Sequence, residues 1–226
     1  GADIEVVGCT RGLPGGGFIY TNRESVAVGV VVSLVEHGPA GHRPEDLIAD
    51  FKAHPSIEPL IEGGKLLEYS AHLIPEGGSK HMPQLAGDGL LVAGDAAGMC
   101  LAAGLWLEGV NFALGSGVIA GETAVAAVRA GDVSAAGLAG YRKRLAEGFV
   151  LADHERYRDA PELVLSERMQ RRYPAVIAGM LEEMFTVTNP APKRGAMSIA
   201  LRQLKRQNIR WRDLLRDGWK AWRTFG

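Results

Sequence analysis

The chain has 226 residues, enough for one large domain or two small ones. Its 25 Lys and Arg against 26 Asp and Glu leave a net charge of −1, so no global field argues for nucleic acid. Cys9 and Cys100, with no close-spaced pattern, support no disulfide framework, zinc site or iron–sulfur cluster, and a reducing cytoplasmic compartment is the plain expectation.

The chain opens abruptly, with Gly1-Ala2-Asp3 leading straight into strand-like Ile4–Val7, as if cut from something longer. No apolar run reaches the ~18 residues needed to span a bilayer, and no signal peptide opens the chain. Gly16–Thr21 and Ser25–Leu34 are Val-rich or alternating, and the polar Asn22-Arg23-Glu24 between them predicts a hairpin. Pro44–Phe51 reads as a helix with Pro at its start and acids in its first turn. Pro55–Ile61 reads as a second short helix closed by Gly63-Gly64. Lys65–Ile74 (KLLEYSAHLI) is expected to be a strand ending at Pro75, and Leu90–Ala93 one more, buried strand. From there the periodicity is helical, over Val110–Arg129, Ser134–Ala152, Ala160–Arg171, Pro174–Met184, Ala196–Arg206 and Trp211–Thr224. Strands first and helices later predict an α+β fold, with an antiparallel or mixed sheet in the first ~95 residues and a helical C-terminal half. Three regions follow: a sheet-rich region over 1–93, a ligand-contact motif with its helix over 94–130, and a helical region with a basic tail over 131–226.

The most informative stretch is Leu90–Gly121, LLVAGDAAGMCLAAGLWLEGVNFALGSGVIAG. Asp95 stands at the end of an apolar strand, between small Gly94, Ala96 and Gly98, so backbone and one carboxylate can approach a large polar ligand closely. Gly104 sits in the following loop. Gly109, Val110 and Asn111 open a helix whose free N–H groups favour negative charge. A Gly-Asp pair can equally be an Asx turn without a ligand. Gly115-Ser116-Gly117-Val118-Ile119-Ala120 matches G-x-G-x-x-A as a string, but it lies inside a predicted helix, so it reads as close helix packing.

The motif resembles the second FAD-contact motif of glutathione-reductase-like flavoproteins. Together with Gly15–Asn22 (GGGFIYTN), Val28–Leu34 (VGVVVSL), Phe51–Ala71 (FKAHPSIEPLIEGGKLLEYSA) and Pro75-Glu76-Gly77-Gly78, it resembles FixC and the electron-transfer flavoprotein–quinone oxidoreductases. The resemblance implies a C-terminal portion of a flavoprotein dehydrogenase with a partial glutathione-reductase-like fold. The intact enzyme would pass electrons from an electron-transfer flavoprotein through FAD to quinone, with an association with nitrogen fixation. It implies that Gly94, Asp95, Ala96, Gly98, Gly104, Gly109, Val110 and Asn111 contact FAD, and that Tyr69, His72, Pro75, Gly77 and Gly78 approach the isoalloxazine and the quinone. The N-terminal GxGxxG unit that such proteins use for the adenosine half is absent, which implies weak or no FAD binding by this chain alone. Two cysteines cannot ligate the [4Fe–4S] cluster of the quinone oxidoreductase branch, which sides the chain with FixC and a separate ferredoxin-like partner. A geranylgeranyl-reductase-like flavoprotein and a flavin-free interaction module are the alternatives.

The stretch Lys193–Gly226 carries ten Lys and Arg against two Asp. Its Trp211, Leu214, Leu215, Trp219 and Trp222 share a helical face with arginines around them. Three arrangements are compatible with that pattern: contact with an anionic membrane at the inner face of the cytoplasmic membrane, contact with an acidic partner, or packing of the Trp side chains on the core. A half-flavoprotein is also expected to leave apolar surface open and to self-associate as a homodimer.

Overall fold

A computed structural model describes residues 1–34, 37–38, 41–102 and 107–226. The fold is α+β, as the sequence predicts, and all pairing among the described strands is antiparallel. The chain forms two compact units. The first joins Gly1–Tyr69 to Leu165–Gly218, and the second joins Ser70–Val164 to Trp219–Gly226.

In the first unit, β1 (Asp3–Val7), β2 (Gly15–Thr21) and β3 (Val26–Val32) form a meander in the order β1-β2-β3. The Asn22 N–H donates to the Ser25 carbonyl and closes the predicted hairpin. The Phe18 ring lies over Gly29, its cross-strand partner, so a glycine interrupts the Val run where no side chain fits. One side of the sheet meets α1 (Pro44–Lys52), and Ile19, Phe51 and Ile57 form the core there. The short α2 (Glu58–Ile61) follows. From Leu165 the chain adds a π-helical turn, Arg168–Arg172, which runs into α7 (Tyr173–Phe185), then α8 (Ala196–Arg206) and the start of α9 (Trp211–Phe225).

The second unit holds two very short hairpins: β4 (Ala86–Gly87) with β5 (Leu90–Leu91), and β6 (Leu101–Ala102) with β7 (Leu107–Glu108). Its helices are α3 (Val110–Ala130), α4 (Gly140–Glu147), α5 (Phe149–Arg156) and α6 (Ala160–Val164). The core gathers Leu85, Met99, Leu101, Phe112, Tyr141 and Val150 around the Gly94–Gly98 turn. By length and composition α3 is apolar enough to cross a membrane. Its Phe112, Ser116, Thr123 and Ala127 are buried within the unit.

Several expectations are corrected. Lys65–Ile74 forms no strand and pairs with none of the described strands, and Leu66, Leu67, Tyr69 and Leu73 are exposed. Only Leu90 and Leu91 of Leu90–Ala93 pair, and Leu90 is exposed rather than buried. The helix expected over Ser134–Ala152 breaks at Gly148, whose extended backbone ends α4 and begins α5. The helix expected over Ala160–Arg171 stops at Val164 and resumes as the π turn.

Candidate functional site

The Gly-Asp motif folds as a tight turn rather than as the plain end of a strand. Residues Gly94–Ala97 make a single 3-10 turn after extended Ala93. Gly94 and Gly98 take φ of 60° and 72°, values that L side chains seldom adopt. A Cβ on Gly94 would also come within 3.2 Å of the Ala113 Cβ, so glycine here permits close approach to α3. Helix α3 supplies the anchor: the Gly94 N–H donates to Ser116 Oγ at 3.0 Å, and that hydroxyl donates to the Ala113 carbonyl at 3.2 Å. The Gly98 and Met99 N–H groups donate to the Asp95 and Gly94 carbonyls and close the turn.

With its backbone fixed, Asp95 is exposed, and no group among the described residues donates a hydrogen bond to its carboxylate. Its Oδ1 lies 3.6 Å from where a Cβ on Gly109 would stand, and Cys100 Sγ lies 3.9 Å from the same point. Gly109 is therefore the open floor between the carboxylate and the thiol. It also precedes the first turn of α3, which no side chain caps. Asn111 Nδ2 donates to Glu108 Oε2 at 3.2 Å, so this amide is engaged locally. Ala96 is exposed, as are Val110 and Asn111. Gly104 lies outside the described residues.

The second predicted group divides. Tyr69 closes the first unit with its ring 62 % exposed. His72 and Pro75 lie exposed in the irregular segment that opens the second unit. Gly77 and Gly78 are built in more firmly. The Gly77 carbonyl lies 2.8 Å from His81 Nδ1, across a 3-10 turn over Ser79–His81, and Gly78, at φ 63°, is buried near Pro161. The chain leaving that turn brings Met82 to Gly98, where a Cβ would stand 3.8 Å from Met82 Cγ. The Pro75–Gly78 stretch and the Gly94–Gly98 turn are thus neighbours.

Three acids meet there. Burial pushes the Cys100 thiol up to about 12, with the negative charges of Asp95 and Glu76 adding to it. Burial likewise raises Glu76, to which no side chain or backbone group among the described residues donates a hydrogen bond. Sequence reasoning quoted Glu76 only as part of a motif and missed it as a member of the site. It also missed Ser116, whose place inside a small-residue helix gives no local signal. Among the described residues no three His, Cys, Asp or Glu side chains converge as a metal site.

Two family models match the chain. The ubiquinone-binding model of ETF-QO covers residues 8–74, and the C-terminal domain model of the ETF-QO/FixC family covers residues 160–226. The chain belongs to the ETF-QO/FixC family. It is 40 % identical over 210 residues to the probable electron transfer flavoprotein-quinone oxidoreductase YdiS of Escherichia coli K12, covering 93 % of this chain and 48 % of that protein. Protein FixC of the same organism is 40 % identical over 212 residues, covering 94 % and 49 %. Protein FixC of Bradyrhizobium diazoefficiens is 38 % identical over 230 residues, covering 99 % and 52 %. The chain spans about half the length of the curated relatives it matches. The Asp95 turn, between residues 74 and 160, lies outside both family matches.

Proposed function

We propose that this chain supplies the second FAD-contact surface of an intact FixC-like dehydrogenase of partial glutathione-reductase-like fold, which passes electrons from an electron-transfer flavoprotein to quinone. The carrying observation is the Asp95 carboxylate: fixed by its turn, without a donor among the described residues, and beside the glycine floor and uncapped start of α3. A carboxylate in that state is an acceptor for a ribityl hydroxyl, and free helical N–H groups suit a phosphate or the pyrimidine edge of a reduced flavin. Gly94, Ala96, Gly98, Gly109, Val110 and Asn111 would form the rest of that surface. The bound flavin would supply the redox chemistry; the chain's residues hold and orient it.

Glu76, Gly77 and Gly78 would border the flavin, and Tyr69 and His72 would reach the quinone from the exposed segment before them. A lipid-dissolved quinone acceptor would bring the intact protein to a membrane surface, and a ferredoxin-like protein would be its separate partner. Apolar side chains left open on α3, Val110, Leu114, Val118, Val125 and Val128, support self-association of the isolated chain as a two-fold dimer. Sedimentation at micromolar concentration reads that state, and a clean monomer contradicts it.

The direct test of the two-part reading is titration of the purified 226-residue chain with FAD. Binding weaker than micromolar, or none, is expected, because the dinucleotide-binding unit supplies most of the grip. Submicromolar affinity would mean that this chain already holds a complete flavin site.

A further inference from the structure

The structure decides which way α9 faces. At 100° per residue, Trp211, Leu215, Trp219 and Trp222 fall within about 80° of one another on the helix. All four are exposed, at 64 %, 73 %, 58 % and 65 %. The opposite side carries Asp217 and Thr224, and these are buried. The helix is inside out, with polar side chains inward and indoles in solvent. Packing of the Trp face on the core, one of the arrangements open from sequence, is thereby excluded.

Specific bonds set this orientation. Arg168 holds Asp217 with two bonds, Nε to Oδ2 at 2.5 Å and an Nη to Oδ1 at 2.8 Å, and the Tyr173 hydroxyl donates to Oδ2 at 2.9 Å. Trp219 and Trp222 lie against each other, ring centroids 5.1 Å apart.

Charge flanks the exposed indoles. Arg212, Arg216 and Arg223 fall about 100–140° round the helix from Trp211, along one edge of the aromatic face. Helix α8 adds Lys205 and Arg206 in its last turn. Among the described residues the side chains of Lys193, Arg194, Lys205, Arg206 and Arg212 take part in no hydrogen bond or ion pair. At the turn between α8 and α9, where Asn208 takes φ 53°, a cavity of about 350 Å³ opens over Leu201, Leu204 and Ile209, with Lys205 and Arg210 at its edge.

We propose that α9, with the end of α8 before it, forms a foot that docks on an anionic lipid bilayer, the indoles lying among the headgroups and the flanking arginines on lipid phosphates. The charge pattern selects this occupant. A second copy seated on the same face would bring two basic rims together. Indoles with Arg212, Arg216 and Arg223 along one edge of the same helix, Arg216 shared with Asp213, match an interface that is apolar on one side and anionic on the other. The inference deepens the quinone reading by naming the element that meets the lipid. Its test uses neither flavin nor quinone, so the two can fail separately.

The experiment is flotation of the purified chain with phosphatidylcholine vesicles, with and without a one-third share of phosphatidylglycerol. Binding is expected on the anionic vesicles at low salt, with loss at high salt and a blue shift of tryptophan emission in the bound state. The double variant Trp219→Ser, Trp222→Ser should lower partitioning at least about tenfold, with an unchanged melting temperature because both rings are exposed. The pair Lys205→Gln, Arg212→Gln should weaken binding and flatten its salt dependence. No flotation of the parent chain, equal flotation on neutral vesicles, or unaltered binding by the Trp variant would each overturn the proposal. So would a dimer that the Trp substitutions convert to monomer without change in lipid binding.

Discussion

Removal of the Asp217 carboxylate should be among the most damaging single changes in the first unit. The side chain is 6 % exposed, and it accepts two bonds from Arg168 and one from Tyr173. Asp217→Ala leaves a guanidinium and a phenol without their acceptor. Breaking a fully buried pair costs about 3–5 kcal/mol. Arg168 is about a quarter exposed, so water reaches it and the cost falls to about 2–3 kcal/mol. Better helix propensity of Ala returns ~0.5 kcal/mol, for a net loss of about 2 kcal/mol. Urea unfolding at neutral pH measures it. A cycle with Arg168→Met should show coupling of at least ~1 kcal/mol. The pH dependence supplies a second reading. The Arg168 guanidinium, with the Tyr173 hydroxyl behind it, holds the Asp217 carboxyl below the usual carboxylate range. A folded value below the unfolded one means stability that is present above about pH 4 and lost as pH falls through the folded value. The gap between parent and variant should therefore be flat near neutrality and close in acid. A loss under ~0.5 kcal/mol, or additivity in the cycle, would refute this account of how α9 is held.

Two further outcomes follow from buried groups. His154 is fully buried; its Nδ1 lies 2.7 Å from the Val150 carbonyl, while Nε2 has no hydrogen-bond partner among the described residues. Burial lowers its pKa, so the unfolded imidazole takes up a proton first and stability falls as pH drops below about 6.5, by up to ~1.4 kcal/mol per pH unit. Melting temperatures across that range should show the slope, and His154→Leu should flatten it; an equal slope in the variant would contradict the assignment. Cys100, buried and pushed up to about 12, should resist a thiol reagent at pH 8 in the folded chain and react only on unfolding. Rapid labelling of Cys100 in the native state, read by peptide mapping, would show that the Asp95–Gly109 floor is not closed over the thiol.

What was legible in the sequence was local. The Val-rich runs on either side of Asn22-Arg23-Glu24 name their own hairpin, and the helix from Val110 runs from Gly109 to a left-handed Gly131. Lys65–Ile74 misled because apolar spacing tells which side of a segment is greasy, not whether another strand lies within reach. Gly148 broke a helix that periodicity alone would have continued. At the site, Asp95 was visible through its glycines, whose backbone angles require them. Glu76 and Ser116 were not, since each gains its role only when the 75–82 segment and α3 close around the turn. The tail showed its charge and its aromatic face in sequence, but which side turned inward depended on Asp217 meeting Arg168 and Tyr173.

If Asp95 is a flavin ligand in the intact protein, as proposed above, flavin retention by the full-length protein reads it out. FAD per polypeptide should be measured after gel filtration for the parent and for Asp95→Ala, with melting temperature as the control for folding. Loss of one hydrogen bond from a carboxylate is worth about 1.5–3 kcal/mol, so FAD should bind roughly tenfold or more weakly in the variant while the fold stays intact. The account predicts flavin-depleted, folded Asp95→Ala protein. Undiminished flavin content in that variant would contradict it.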